Sequence, residues 1–280
     1  MNFKRVIILD IPSLGIGEAS DANRFQSVGA DTLGHVLTAI NRSVALPNFT
    51  DLGLGNIRWA NPFEVIAQTS HPRGFFSQVH MASNSQSEFA GLREMFDFQG
   101  TDRVETLFGT LKTTQLRNTR VSLLAPYTSY LANQRGVEDK LAIASDQQAF
   151  NALRERIELD IPGVIYTRLV DCATAAVDKD VTSYVAALEH IDRHLGRIMD
   201  DMFSSDILIV TASYAHDFLM DGPQPTREYL PLLAYTPQVT TGHSLGIRRT
   251  LGDIAISALD VFDLLPAKQP SARSFLGEMQ

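Results

Sequence analysis

The chain has 280 residues, 44% of them apolar and 20% charged, and a formal charge of −8 at pH 7. That length and balance fit a globular protein with a substantial core, while the negative charge and the lack of any Lys/Arg-rich run argue against nucleic acid or an anionic membrane as partner. Cys172 is the only cysteine, which excludes an intrachain disulfide framework and any multi-cysteine zinc site.

The chain opens with an apolar stretch, Val6 to Leu9 plus Ile11, interrupted by Asp10. It is too short for a signal segment or a membrane span, so it reads as a buried first strand and the expected location is cytoplasmic. Further strands are expected at Phe75–Met81, Arg120–Ala125, Lys140–Ser145, Val164–Asp171, Ile207–Ala212 and Pro231–Tyr235. Most are continuously apolar, as in a parallel sheet covered on both faces. Helical periodicity lies between them, at Asp31–Asn41, Ser87–Asp97, Arg103–Leu111, Gln147–Glu158, Lys179–Met202 and Thr250–Leu264. The clearest is Lys179–Met202, where Tyr184, Val185, Leu188, Ile191, Leu195 and Ile198 form one apolar stripe. Alternation of this kind predicts a three-layer α/β sandwich with a mainly parallel central sheet, and nothing resembling a linker divides residues 1–280.

In open α/β sheets ligands sit beyond the carboxyl ends of the strands, and Asp10 closes the first strand at such a place. Around it, RVIILDIPSLGIG (5–17), GADTLGH (29–35) and LPNFTDLGLGN (46–56) resemble the start of phosphopentomutases in order and spacing. TRLVD (167–171), ILIVTA (207–212), TREYLPLLAY (226–235) and LGIRRTLGDIA (245–255) resemble the second half of that family. The resemblance implies an alkaline-phosphatase-like core. In that family two Mn²⁺ ions are held by carboxylates and histidines, and a threonine carries the phosphoryl group between positions of ribose phosphate.

Residue by residue, the resemblance fails where the metals belong. Asp10 stands at a metal-ligating aspartate. The next ligating Asp and His correspond to Ala173 and Val177, an Asp-His pair to Ser213 and Tyr214, and a final His to Pro225. Glu88, with Ser87 beside it, falls at the nucleophilic threonine. The family's cap domain is expected to be missing near residues 96–103, where the text runs on towards the helix at Arg103–Leu111. Asp10 is then the only surviving metal ligand, and no cofactor is expected.

Two replacement sites can be written down: a Ser/His/Asp triad from Ser85 or Ser87, His216 and Asp10, and a metal site from Asp10, His216 and Asp217. The bland reading of Asp217 is loop hydrogen bonding. His190 and His194 lie one turn apart, but both flank the apolar stripe and are expected to be solvated or capping. Asp31 is expected to cap the helix that follows it, and Arg227 could contact an anion at the old phosphate position or be tied to a carboxylate. The expected function is a catalytically degenerate phosphopentomutase-like protein that serves as a binding, regulatory or assembly partner, with a protein, a second copy or a small phosphorylated molecule as ligand. The alternative is an enzyme with a rebuilt, metal-poor site acting on a phosphorylated or nucleoside-type molecule.

Overall fold

The computed structural model describes residues 1–58, 61–96, 107, 119–126, 137–266 and 271–280. Eight strands among them form one sheet: β1 (Arg5–Asp10), β2 (Phe75–Val79), β3 (Arg120–Ala125), β4 (Asp139–Ala142), β5 (Gly163–Arg168), β6 (Asp206–Thr211), β7 (Leu230–Tyr235) and β8 (Ser244–Arg248). Their order is β4-β3-β5-β1-β6-β7-β2-β8, and only β7 runs against its neighbours. Every residue of β1, β5, β6 and β7 is buried, so both faces of the sheet are covered. This is why these segments read as unbroken apolar runs.

The helices fall into two packed groups. On one side α6 (Val181–Asp201) is packed by α1 (Thr32–Ala39), α2 (Pro47–Asp51), α4 (Asp146–Glu158) and α5 (Asp171–Val177); separately, α3 (Ala90–Phe96) packs on α7 (Gly252–Asp260). Asp31 caps α1 through the Gly34 N–H, and Asp180 caps α6 through that of Ser183. None of the helices among the described residues is long and apolar enough to cross a membrane.

Two short elements escape the periodicity argument, and several expectations need correction: the strand expected to reach Ser145 ends at Ala142, and the helix expected from Ser87 starts at Ala90. Helix α2 spans little more than one turn behind Pro47, and β8 is a short edge strand of mixed exposure. The expected strand Val164–Asp171 ends at Arg168, because helix α5 starts at Asp171. The buried Asp146 carboxylate fixes that start from a distant part of the chain, accepting from the N–H groups of Val170 and Asp171 at 2.7 and 3.1 Å. His194 is buried, with its ring stacked on Phe150 at 4.3 Å between centroids, because α4 packs over that flank of α6. The expected junction near residues 96–103 and the helix at Arg103–Leu111 lie outside the described residues, apart from Phe96 at the end of α3 and Leu107.

One ion pair locks the amino ends of β1 and β6. The fully buried Arg5 meets Asp206 through Nε–Oδ1 at 3.0 Å and Nη2–Oδ2 at 2.6 Å, and Nη1 donates to the Ile157 carbonyl at the end of α4. Removing one partner leaves a buried charge without compensation, which typically costs about 3–5 kcal/mol. Asp206→Ala is therefore expected to lower the unfolding free energy measured in urea by an amount in that range, while Lys4→Ala, which removes only the exposed pair with Asp160, changes it by about 1 kcal/mol or less.

Candidate functional site

At the carboxyl ends of the central strands, Asp10 stands in register with Arg168 of β5 on one side and Thr211 of β6 on the other. Its carboxylate is fully buried. Oδ1 accepts from the Ser213 N–H at 2.7 Å, and Oδ2 accepts from the Tyr166 hydroxyl at 2.6 Å and from Arg168 Nη1 at 3.3 Å. Arg168 Nη1 also donates to Ser213 Oγ at 3.0 Å, which closes the network. Burial is the strongest influence on Asp10 and raises its pKa, with the Arg168 guanidinium the strongest opposing one. Asp10 in turn supports the positive charge of Arg168 against burial. All the groups around Asp10 are donors, an arrangement suited to an ionised carboxylate facing a cation.

A cleft of 340 Å³ opens above this network, walled by Arg168, Tyr214, Ala173, Val177, Glu88 and Phe89 among others. Three positions at which the resemblance places metal ligands thus line one recess, and none of them offers an anionic or imidazole donor. Burial pushes the Tyr214 hydroxyl up to about 12, with Arg168 opposing and Glu88 adding, so it is a neutral phenol. Two divalent ions close together need several anionic ligands to offset their mutual repulsion. Both oxygens of Asp10 are already taken, and no group of three or more His, Cys, Asp or Glu residues arranged to hold an ion occurs among the described residues. The residues present do not fit a dimetal centre.

The structure does not bring the two replacement sites together. Ser85, Ser87 and Glu88 are exposed; the serine hydroxyls accept from the N–H groups of Ser87 and Phe89, as loop turns do. The N–H of His216 donates to the Ser13 carbonyl, and its ring meets Phe218 edge-on. Asp217 faces elsewhere: Oδ2 accepts from the Asp31 N–H at 2.9 Å and pairs with His35 Nδ1 at 2.7 Å. Arg227 is tied to a carboxylate, with Nε and Nη2 on the two oxygens of Asp21 at 3.0 and 2.9 Å, and its guanidinium lies over the Phe25 ring. Of the residues that gather on Asp10, Ser213 stands at a position the resemblance marks, whereas Tyr166 and Arg168 carry no site motif. The available signal was a charged residue closing an otherwise buried strand, Thr167-Arg168, beside one that ends in Asp10.

The cluster below the opening loops retains family identities and is structural. Glu228, fully buried, accepts from the N–H groups of Gly17 and Thr32 and from the hydroxyls of Thr32 and Thr226. Glu94 holds another junction together: it accepts from the N–H groups of Ala82, Ser83 and Leu251 and from the Thr250 hydroxyl. Beside it, Gly91 brings α3 so close that a Cβ there would overlap the Ser213 carbonyl oxygen, so the helix is seated against the strand-end loop.

Comparison with known proteins agrees with this architecture. The sequence profile of the metalloenzyme superfamily matches residues 4–266. The chain belongs to that superfamily. It is 34% identical over 146 residues to the phosphopentomutase of Caldanaerobacter subterraneus subsp. tengcongensis, a match covering 52% of this chain and 37% of that protein. Solved structures share the fold. An alkaline phosphatase superfamily protein from Vibrio parahaemolyticus superposes with a TM-score of 0.58 at 12% identity, over 99% of this chain and 70% of the other. A protein of Pyrococcus horikoshii does so with a TM-score of 0.55 at 10% identity, over 96% and 99%. This member of the metalloenzyme superfamily therefore shares the fold of these structures, and at its strand ends Arg168 faces Asp10.

The pH dependence of stability follows from Glu228, whose carboxyl burial pushes up from its ordinary value of 4.5 to about 7, against the hydroxyl and N–H donors around it. A pKa raised on folding contributes stability that is present below the unfolded value and lost as pH rises through the folded one. Between about pH 4.5 and 7 the folded chain is thus expected to lose stability through this group. Glu228→Gln should flatten the change in urea midpoint across that window, measured at intervals of half a pH unit; an unaltered slope would contradict the assignment.

Proposed function

We propose that this metalloenzyme-superfamily member is a phosphopentomutase-like binding protein without mutase or phosphatase activity, acting in a cytoplasmic setting as a regulatory or assembly partner of another protein. The observation that carries this reading is Arg168 facing Asp10: a single fixed guanidinium charge, already bonded to Asp10 and Ser213, stands against the one surviving metal-ligating aspartate. Phosphoryl transfer by the dimetal route needs cations that neutralise the phosphoryl oxygens and align attack. Arg168 supplies one charge, which Asp10 offsets. Glu88, at the nucleophile position, is an exposed carboxylate that would repel a phosphate dianion without such cations. A core without the cap near residues 96–103 belongs to the same reading, since it leaves the strand-end surface to a partner. No metal or other cofactor is part of the proposal.

The test is direct. After incubation with Mn²⁺ or Zn²⁺ and dialysis, elemental analysis is expected to give less than one equivalent of metal. Ribose 1-phosphate and ribose 5-phosphate are expected not to interconvert, with or without Mn²⁺ and a bisphosphate activator. One or more equivalents of retained metal, or turnover that disappears in Asp10→Ala, would restore an enzyme and end this reading.

A further inference from the structure

Helix α5 separates two recesses of different character. On one side lies the cleft above Asp10, largely apolar, with Pro12, Phe89, Ala173 and Tyr214 on its walls and Val177, 70% exposed, at its rim. On the other lies a recess of 430 Å³ lined by Asp171, Asp178, Asp180, Ser183 and His190. Thr174 and Asp178 line both, so the two recesses adjoin at the helix.

The charges do not balance. In the cleft, Arg168 is offset by Asp10, which leaves the carboxylates of Glu88 and Asp178 without a further cation among the described lining residues. In the second recess three aspartates face a single imidazole, and burial together with nearby Arg193 holds His190 towards its neutral form. Asp180 also caps α6 with its carboxylate, and Asp171 accepts from the Asp146 N–H, but neither contact brings in a positive charge. Lys179 acts on His216, and Arg193 and Arg197 act on His190; none of the three is among the described lining residues of either recess. A phosphorylated sugar would therefore meet net negative charge here. The surface is complementary to a cation beside an apolar group.

We infer that the face of α5 is the docking site for a protein partner, through a segment whose apolar side chain enters the cleft above Arg168 while flanking lysine or arginine residues lie against Glu88 and Asp171–Asp178–Asp180. The inference rests on the binding-protein reading above and names the partner's chemistry. A peptide segment is chosen over a small amine because both recesses must be reached at once. A helix is about 10 Å across with its side chains, so about three extended residues separate an anchor in one recess from a cation in the other.

The probe is a blocked peptide, Lys-Lys-Gly-Gly-Leu-Gly-Gly-Lys-Lys, which reads the same in either direction, titrated into the full ¹⁵N-labelled chain. The amides of Ala173, Thr174, Val177 and Asp178 are expected to shift saturably. The Glu88→Gln/Asp178→Asn double variant should weaken binding about threefold or more, as should added salt. Ala173→Leu, which fills the cleft from an already helical position, should abolish the apolar contribution, so that Leu- and Ser-centred peptides bind alike. No shift at millimolar peptide, an equal response to the Glu-for-Lys peptide, or a response to hexylamine as strong as to the peptide would overturn the inference; ribose 5-phosphate shifting the same amides would do so as well. The mutase assay on the same preparations separates the two claims: an inert chain that ignores the peptide loses only the partner, whereas turnover removes the reading on which it rests.

Discussion

A carboxylate with no exposure, set among the ends of apolar strands, must have a cation within reach or give up its charge. Asp10 is that carboxylate, and the position is imposed by the sheet, since β1 sits between β5 and β6 and ends where their carboxyl ends open. The chain meets the constraint from within. Arg168, in register on the adjacent strand, brings a guanidinium to Oδ2, while the Tyr166 hydroxyl and the Ser213 N–H complete the acceptor's needs. An internal cation needs no further ligands, so the residues around it are released from any duty to be anionic.

That release explains the cleft. Ala173 and Val177 on α5 and Tyr214 after β6 form an apolar wall at places where the family resemblance expects donors. The wall could not surround an uncompensated Asp10. The same internal neutralisation leaves Glu88 and Asp178 as the remaining charges among the described lining residues of the cleft. Elsewhere the framework is held by carboxylates: Glu228 and Glu94 each gather hydrogen bonds from segments distant in sequence.

The sheet was legible because fully buried strands leave continuous apolar runs, and Lys179–Met202 because its stripe repeats every three or four residues. Asp31 was legible as a cap because a cap is a local device. What the sequence concealed depends on contacts between distant segments. The start of α5 is held by Asp146, and the burial of His194 is decided by Phe150 of α4. Arg168 was hidden for the same reason: its meaning lies in the register that sets it beside Asp10, and register is not written in the composition of either strand. Arg227, a family identity, could be read as an anion contact or as one half of an ion pair, and the fold chooses the pair with Asp21.

Arg168 and Asp10 compensate one another in the core. A double-mutant cycle in urea, with Asp10→Ala, Arg168→Ala and the combination, measures that directly. Each single change should lose about 3–5 kcal/mol, and the pair should lose less than the sum by about 2 kcal/mol or more, since removing both partners leaves no buried charge unpaired. Additivity within about 0.5 kcal/mol would show that the two charges do not depend on each other, and the arginine would then have no claim to the place of the metals.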